Sequence, residues 1–195
     1  RMTRSIAAPV TAGLQLEYFY ASPLHAAMLD IRAELEILGA IPGLGRVSLR
    51  TATAESLAEV WGAAAGRAAS GADSRVLCLS AHSASDPGGS APRTLLLEDA
   101  LGRGHPIDER DLGELLGSRC QASDCLAFDA VVLNVCHSES MGNRFLEAGA
   151  GCVVTCTGSV SDGAARAFLR CFLRTMAMDG LESMLAVFEA AQRAV

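Results

Sequence analysis

The chain has 195 residues, half of them hydrophobic and 19% charged, which supplies enough apolar material for one buried core and too little charge for a disordered polyelectrolyte. Its 16 basic residues, every one an arginine, stand against 22 acidic ones, and the resulting charge of −6 argues against non-specific binding to nucleic-acid phosphates. No apolar run approaches the roughly 18–20 residues that span a bilayer, and the first twenty residues lack the zones of a signal peptide, so the sequence reads as a soluble cytoplasmic protein with no membrane partner.

Apolar runs alternate with helix-period segments along the chain, the pattern of a mostly parallel sheet with helices on both faces. Residues 14–20 form a short aromatic-rich strand closed by Ala21-Ser22-Pro23. Leu24, Met28, Ile31, Leu35 and Leu38 recur at steps of four and three, which predicts a helix ending at Gly39. A second strand follows over 46–50, and Thr53 opens an Ala-rich helix carrying Leu57, Val60 and Trp61. Residues 75–81 are apolar enough to be a central strand. The Ser, Gly and Pro of 83–93 then predict a loop, and 94–98 with 105–107 a small β-hairpin. Asp108 is placed to cap a helix running to Leu116, and 117–123 reads as a loop. A fourth strand over 130–135, a helix over 142–148 and a fifth strand over 151–155 precede two final helices, 162–178 and 181–191. One α/β domain covers residues 1–195, with no internal repeat and no linker.

Seven cysteines is an odd number, and several sit inside apolar runs, as buried free thiols do in a reducing compartment. Cys120 with Cys125 and Cys152 with Cys156 are spaced more loosely than zinc-finger pairs, so no metal is expected. Gly43-Leu44-Gly45 lacks the third glycine and helix start of a dinucleotide fingerprint, and no P-loop or nucleophile elbow occurs, so no cofactor is expected either. A flavodoxin-like nucleotide binder would share the sheet but need the missing phosphate loop.

In open parallel sheets, ligands and reactive groups collect at the carboxyl ends of the strands. Two reactive residues lie there: His82 after the third strand and Cys136 after the fourth. If those strands are neighbours, about 4.8 Å apart, imidazole and thiol face one another across the rim. Thiol catalysis requires that pairing, a base to favour thiolate and later an acid for the leaving group. The backbone N–H groups of Ser83 and Cys136 are the candidate oxyanion donors, on the expectation that a strand turns sharply into a helix there. His137 reads as a rim filler, His25 and His105 as surface or turn residues, and Arg166, Arg170 and Arg174 as a solvated helix stripe.

The segments Val76-Leu77-Cys78-Leu79-Ser80-Ala81-His82-Ser83 and Val131-Val132-Leu133-Asn134-Val135-Cys136-His137-Ser138 resemble the two catalytic strands of caspase-like cysteine peptidases. Their order, with Tyr18 to Leu24, Leu95 to Asp99, Phe145 to Val154 and Ser159 to Ala165, is most similar to the CHAT group, relatives of separase and metacaspases. The resemblance implies a caspase-like three-layer sandwich with a small hairpin insertion, and a cysteine endopeptidase cleaving protein or peptide substrates. It makes His82 general base and acid and Cys136 the nucleophile that forms a thioester. Ser83 stands where the group usually has Gly, and Asn134 where metacaspases carry an Asp that holds a basic side chain.

The resemblance also places Asp162 at the base of a substrate pocket selecting Arg; Asn134, Ser22 and Asp86, the last in the loop after His82, are further candidate substrate-binding positions. Asp162 equally stands where a helix N-cap belongs, with Arg166 one turn on for a surface ion pair, and Asp86 equally reads as a solvated loop acid. The chain reads as a fragment of a larger multidomain protein in which repeat or sensor domains regulate the site. The competing class is a catalytically silent caspase-like scaffold that binds protein partners; retention of both His82 and Cys136 speaks against it, and Ser83 speaks for it.

Overall fold

The strand centres carry the most continuous apolar runs in the chain, and they end up where a parallel sheet is covered on both faces. The computed structural model describes residues 13–65, 74–84, 93–117, 126–179 and 184–193. Strands β1 (Leu14–Tyr20), β2 (Leu44–Thr51), β3 (Ser74–Ser80), β7 (Phe128–Asn134) and β8 (Ala150–Val154) form one sheet in the order β2-β1-β3-β7-β8. Every neighbouring pair in it is parallel. Short strands β4 (His82–Ala84), β5 (Thr94–Glu98) and β6 (Gly104–Ile107) form a separate antiparallel sheet.

Helices cover the large sheet on both sides. On one face α2 (Ala54–Ala65), α3 (Glu109–Leu116) and α4 (Glu139–Glu147) pack Leu57, Trp61, Leu112 and Phe145 against Leu77, Leu79, Val131 and Leu133. Trp61 anchors that layer, its ring centroid 5.3 Å from those of both Phe128 and Phe145. On the other face α1 (Ile31–Gly39), α5 (Asp162–Asp179) and α6 (Met184–Gln192) pack Leu38, Leu169, Phe172 and Val187 against Tyr18, Val76, Cys78, Ala130 and Val132. The result is the three-layer α/β sandwich with a small antiparallel addition that the sequence predicts.

Three elements differ from expectation. Helix α1 starts at Ile31, because Asp30 Oδ1 accepts from Ala33 N–H at 3.1 Å and caps it there. Leu24 and Met28, the first members of the apolar stripe, lie before that cap and are 82% and 85% exposed. The loop predicted from residue 83 begins instead as β4, which pairs with β5 through Ser83 opposite Leu95. Helix α4 starts at Glu139, three residues before the predicted 142. Asp86, Cys120 and Cys125 lie outside the described residues.

Candidate active site

The register of β3 and β7 brings the two reactive residues to one rim. Ser80 is opposite Asn134, and Ala81 N–H donates to Asn134 O at 3.4 Å. Side chains alternate along a strand, so Ser80 and Asn134 share a face; both strands end there, and two residues on stand Cys136, in the turn after β7, and His82, the first residue of β4. The shared face is the one covered by α1 and α5; the intervening Ala81 and Val135 belong to the opposite core.

His82 is half-buried, and its Nε2 lies 2.6 Å from the carbonyl oxygen of Ala27. A carbonyl only accepts, so Nε2 carries the proton and the Nδ1 lone pair is the basic site of the neutral ring. The segment that presents Ala27 is held in turn. Leu24 N–H donates to Gly102 O at 3.0 Å, and Leu29 N–H to Ser22 Oγ at 3.4 Å. Ser22, a predicted substrate-binding position, also donates its N–H to Glu98 Oε1 at 2.6 Å and so ties the end of β1 to β5.

Cys136 is half-buried, and its sulfur faces Val160: Sγ accepts the Val160 N–H at 3.4 Å and lies 3.8 Å from Val160 O. Among the described residues, thiol and imidazole are bonded to these partners and not to each other. The next two amides are used up, His137 N–H by Gly158 O at 3.1 Å and Ser138 N–H by Cys156 O at 2.8 Å. No backbone acceptor for the N–H of Cys136 occurs among the described residues.

His137 has φ of 52°, the described residue other than glycine that adopts a left-handed backbone. Its ring bridges Thr157 O and Ser159 Oγ, each at 3.1 Å, so both nitrogens serve to pin the segment after β8. Ser138 begins α4 without capping it; its Oγ accepts instead from Cys156 N–H at 3.1 Å. A Cβ at Gly142 would collide with the Thr155 methyl, so α4 seats directly on the same segment.

Asp162 is exposed and is the first residue of α5. The cap of that helix is Ser161, whose Oγ accepts from Ala164 N–H at 3.3 Å, and Arg166 pairs with Asp30 at 3.8 Å. The capping and ion-pair roles open to Asp162 in the sequence are thus taken by its neighbours.

Sequence reading misses two groups. One is the Ala27 carbonyl, which no side-chain letter announces. The other is Glu34, only 3% exposed on the sheet-facing side of α1 one turn before the buried Leu38. Glu34 Oε1 accepts from Ser80 Oγ at 3.1 Å, while its Oε2 is buried without a partner, as is Asn134 Nδ2. Burial pushes the Glu34 carboxyl up, against the Ser80 hydrogen bond and the Arg166 charge, and Asp162 adds to the rise. Burial also pushes up the thiols of Cys78, Cys152 and Cys156, aided respectively by Glu34, Asp129 and Cys136.

Among the described residues no three His, Cys, Asp or Glu side chains cluster as metal ligands, and no helix is long and apolar enough to cross a membrane.

A parallel α/β sandwich with a thiol and an imidazole just beyond adjoining strand ends is consistent with a caspase-like, cysteine-peptidase-related domain. The sequence profile of the CHAT domain matches residues 5–195, and the chain belongs to that family. Comparison with the curated proteins gives no match.

Proposed function

We propose that this domain is a cysteine endopeptidase working through Cys136 and His82. His82 Nδ1 takes the thiol proton, and Sγ adds to the carbonyl carbon of a peptide bond, turned toward it by rotation about the Cys136 Cα–Cβ bond. The oxyanion is met by the N–H of Cys136 and, on the other side, by that of Ser83, which β4 presents in place of the helix start expected from the sequence. His82 then returns the proton to the departing amine, leaving a thioester on Cys136. A water that gives its proton to His82 hydrolyses the thioester to the free acid and restores the thiol. No metal or cofactor enters the scheme.

The observation that carries this reading is the Nε2 bond to Ala27 O, because it commits the ring to the tautomer whose free lone pair belongs on Nδ1. A basic side chain in the substrate would meet Asp162, exposed at the same rim, and an Arg preference follows if that carboxylate contacts it. Repeat or sensor domains outside this chain would regulate the site. The test is cleavage of a peptide library by the wild type, Cys136→Ala, His82→Ala and Asp162→Ala. Cleavage lost in the first variant and trapped as a thioester in the wild type supports the enzyme; cleavage retained without Cys136 ends it. An Arg preference untouched by Asp162→Ala removes Asp162 from the pocket.

A further inference from the structure

A cleft of about 390 Å³ opens between the ends of β7 and β8 and helices α5 and α6. Asn134, Val154, Val160, Ala165, Phe168 and Phe188 are among the residues that line it. Val160 joins it to the nucleophile, since the residue whose N–H points at Cys136 Sγ also forms part of the cleft wall. Cys136 and His82 do not themselves line the cleft, so Val160 is the residue through which a peptide bonded to that sulfur would reach its mouth.

The wall is a fixed one. His137 grips Thr157 and Ser159 through its ring, Gly142 seats α4 on Thr155, and all three gripped residues border the cleft. Its chemistry is one-sided. The chain carries 22 acidic and 16 basic residues, yet among the described residues that line the cleft there is no Asp, Glu, Arg or His. A charged side chain entering here would lose its water with no counter-charge to replace it, whereas an apolar one gains by leaving water.

We propose that this cleft is a side-chain subsite of the Cys136 site, selecting a large uncharged apolar residue such as Leu, Met or Phe beside the scissile bond. The assignment rests on the peptidase reading for its occupant. It concerns a different place from Asp162, which is exposed and does not line the cleft.

The test separates the two. The full chain carrying Cys136→Ala is titrated with the N-acetyl amides of Leu, Met, Phe, Arg and Asp while the backbone amide resonances of Gly158, Val160 and Ala164 are followed. The apolar amides are expected to shift those resonances and to bind about tenfold or more tighter than the Arg and Asp amides, the discrimination an apolar pocket provides. Gly158→Phe crowds the mouth, where nothing lies within 4 Å of an added Cβ, and should weaken the Leu amide. Phe188→Ala widens the far wall and should move the preference from Leu toward Trp. Equal or tighter binding of the Arg or Asp amide, or apolar binding that neither variant changes, overturns the subsite. Failure of the peptidase reading appears elsewhere, as alkylation of Cys136 in the wild type that is indifferent to His82.

Discussion

The two faces of the five-stranded sheet differ at one end. On the face toward α2, α3 and α4 the central strands present Leu77, Leu79 and Ala81 beside Val131, Leu133 and Val135, apolar to the last rung. On the face toward α1 and α5 the same strands begin alike, with Val76 and Cys78 beside Ala130 and Val132. There the last rung turns polar, Ser80 beside Asn134, and His82 and Cys136 follow two residues beyond it. Each face bears buried polar atoms without a partner, Trp61 Nε1 and Arg144 Nε on the first and Tyr18 Oη, Glu34 Oε2 and Asn134 Nδ2 on the second. The second differs in placing a buried carboxyl and an unpaired amide at the last rung before the thiol and imidazole, where Glu34 meets Ser80 and Ser80 pairs with Asn134.

Substitutions on the two faces should therefore fail in different ways. The largest effect is expected at the polar rim: Cys136→Ala abolishes peptide cleavage, and His82→Ala lowers kcat/KM by about 10²–10⁴, the usual contribution of a general base. Neither should shift Tm by much, since both residues are only half-buried. On the apolar face the order inverts. Trp61→Ala removes the ring shared by Phe128 and Phe145 and should cost about 3–5 kcal/mol in denaturant unfolding. A loss below about 1 kcal/mol would mean that this layer is not the folding core.

Glu34 sharpens the contrast through pH. Its carboxyl is raised in the fold by burial, so the stability it contributes is fully present below the ordinary carboxylate range and is lost as pH rises through the raised value. Glu34→Gln cannot ionise and should flatten that decline in urea unfolding followed from acid to neutral pH. A steeper decline in the variant would show the carboxylate to be stabilised where it sits. The smallest effect belongs to Asp162→Ala, within about 0.5 kcal/mol of wild type, because the residue is exposed and neither caps α5 nor pairs with Arg166.

The sequence reveals most clearly what burial enforces locally. The central strands announce themselves because both faces demand apolar residues, and the rim residues stand out as the polar letters that end those runs. The start of α1 does not. Leu24 and Met28 keep helical spacing, but Asp30 and Ser22 bind backbone amides that a longer helix would need. Strand β4 exists only by pairing with β5, a partner that no local pattern encodes. Glu34 goes unnoticed because a carboxylate on a helix counts as the wet side, whereas here Ser80 and Arg166 make its burial tolerable. The Ala27 carbonyl is beyond any reading of side chains.

The account turns on whether imidazole and thiol act on one another, and the rate of Cys136 alkylation by a small haloacetamide measures that without a substrate. In the wild type Cys136 should react far faster than Cys78, which is fully buried with its thiol pushed well up. His82→Ala should slow Cys136 by tenfold or more and leave Cys152 and Cys171 unchanged. Equal rates at Cys136 with and without the imidazole would contradict the central claim.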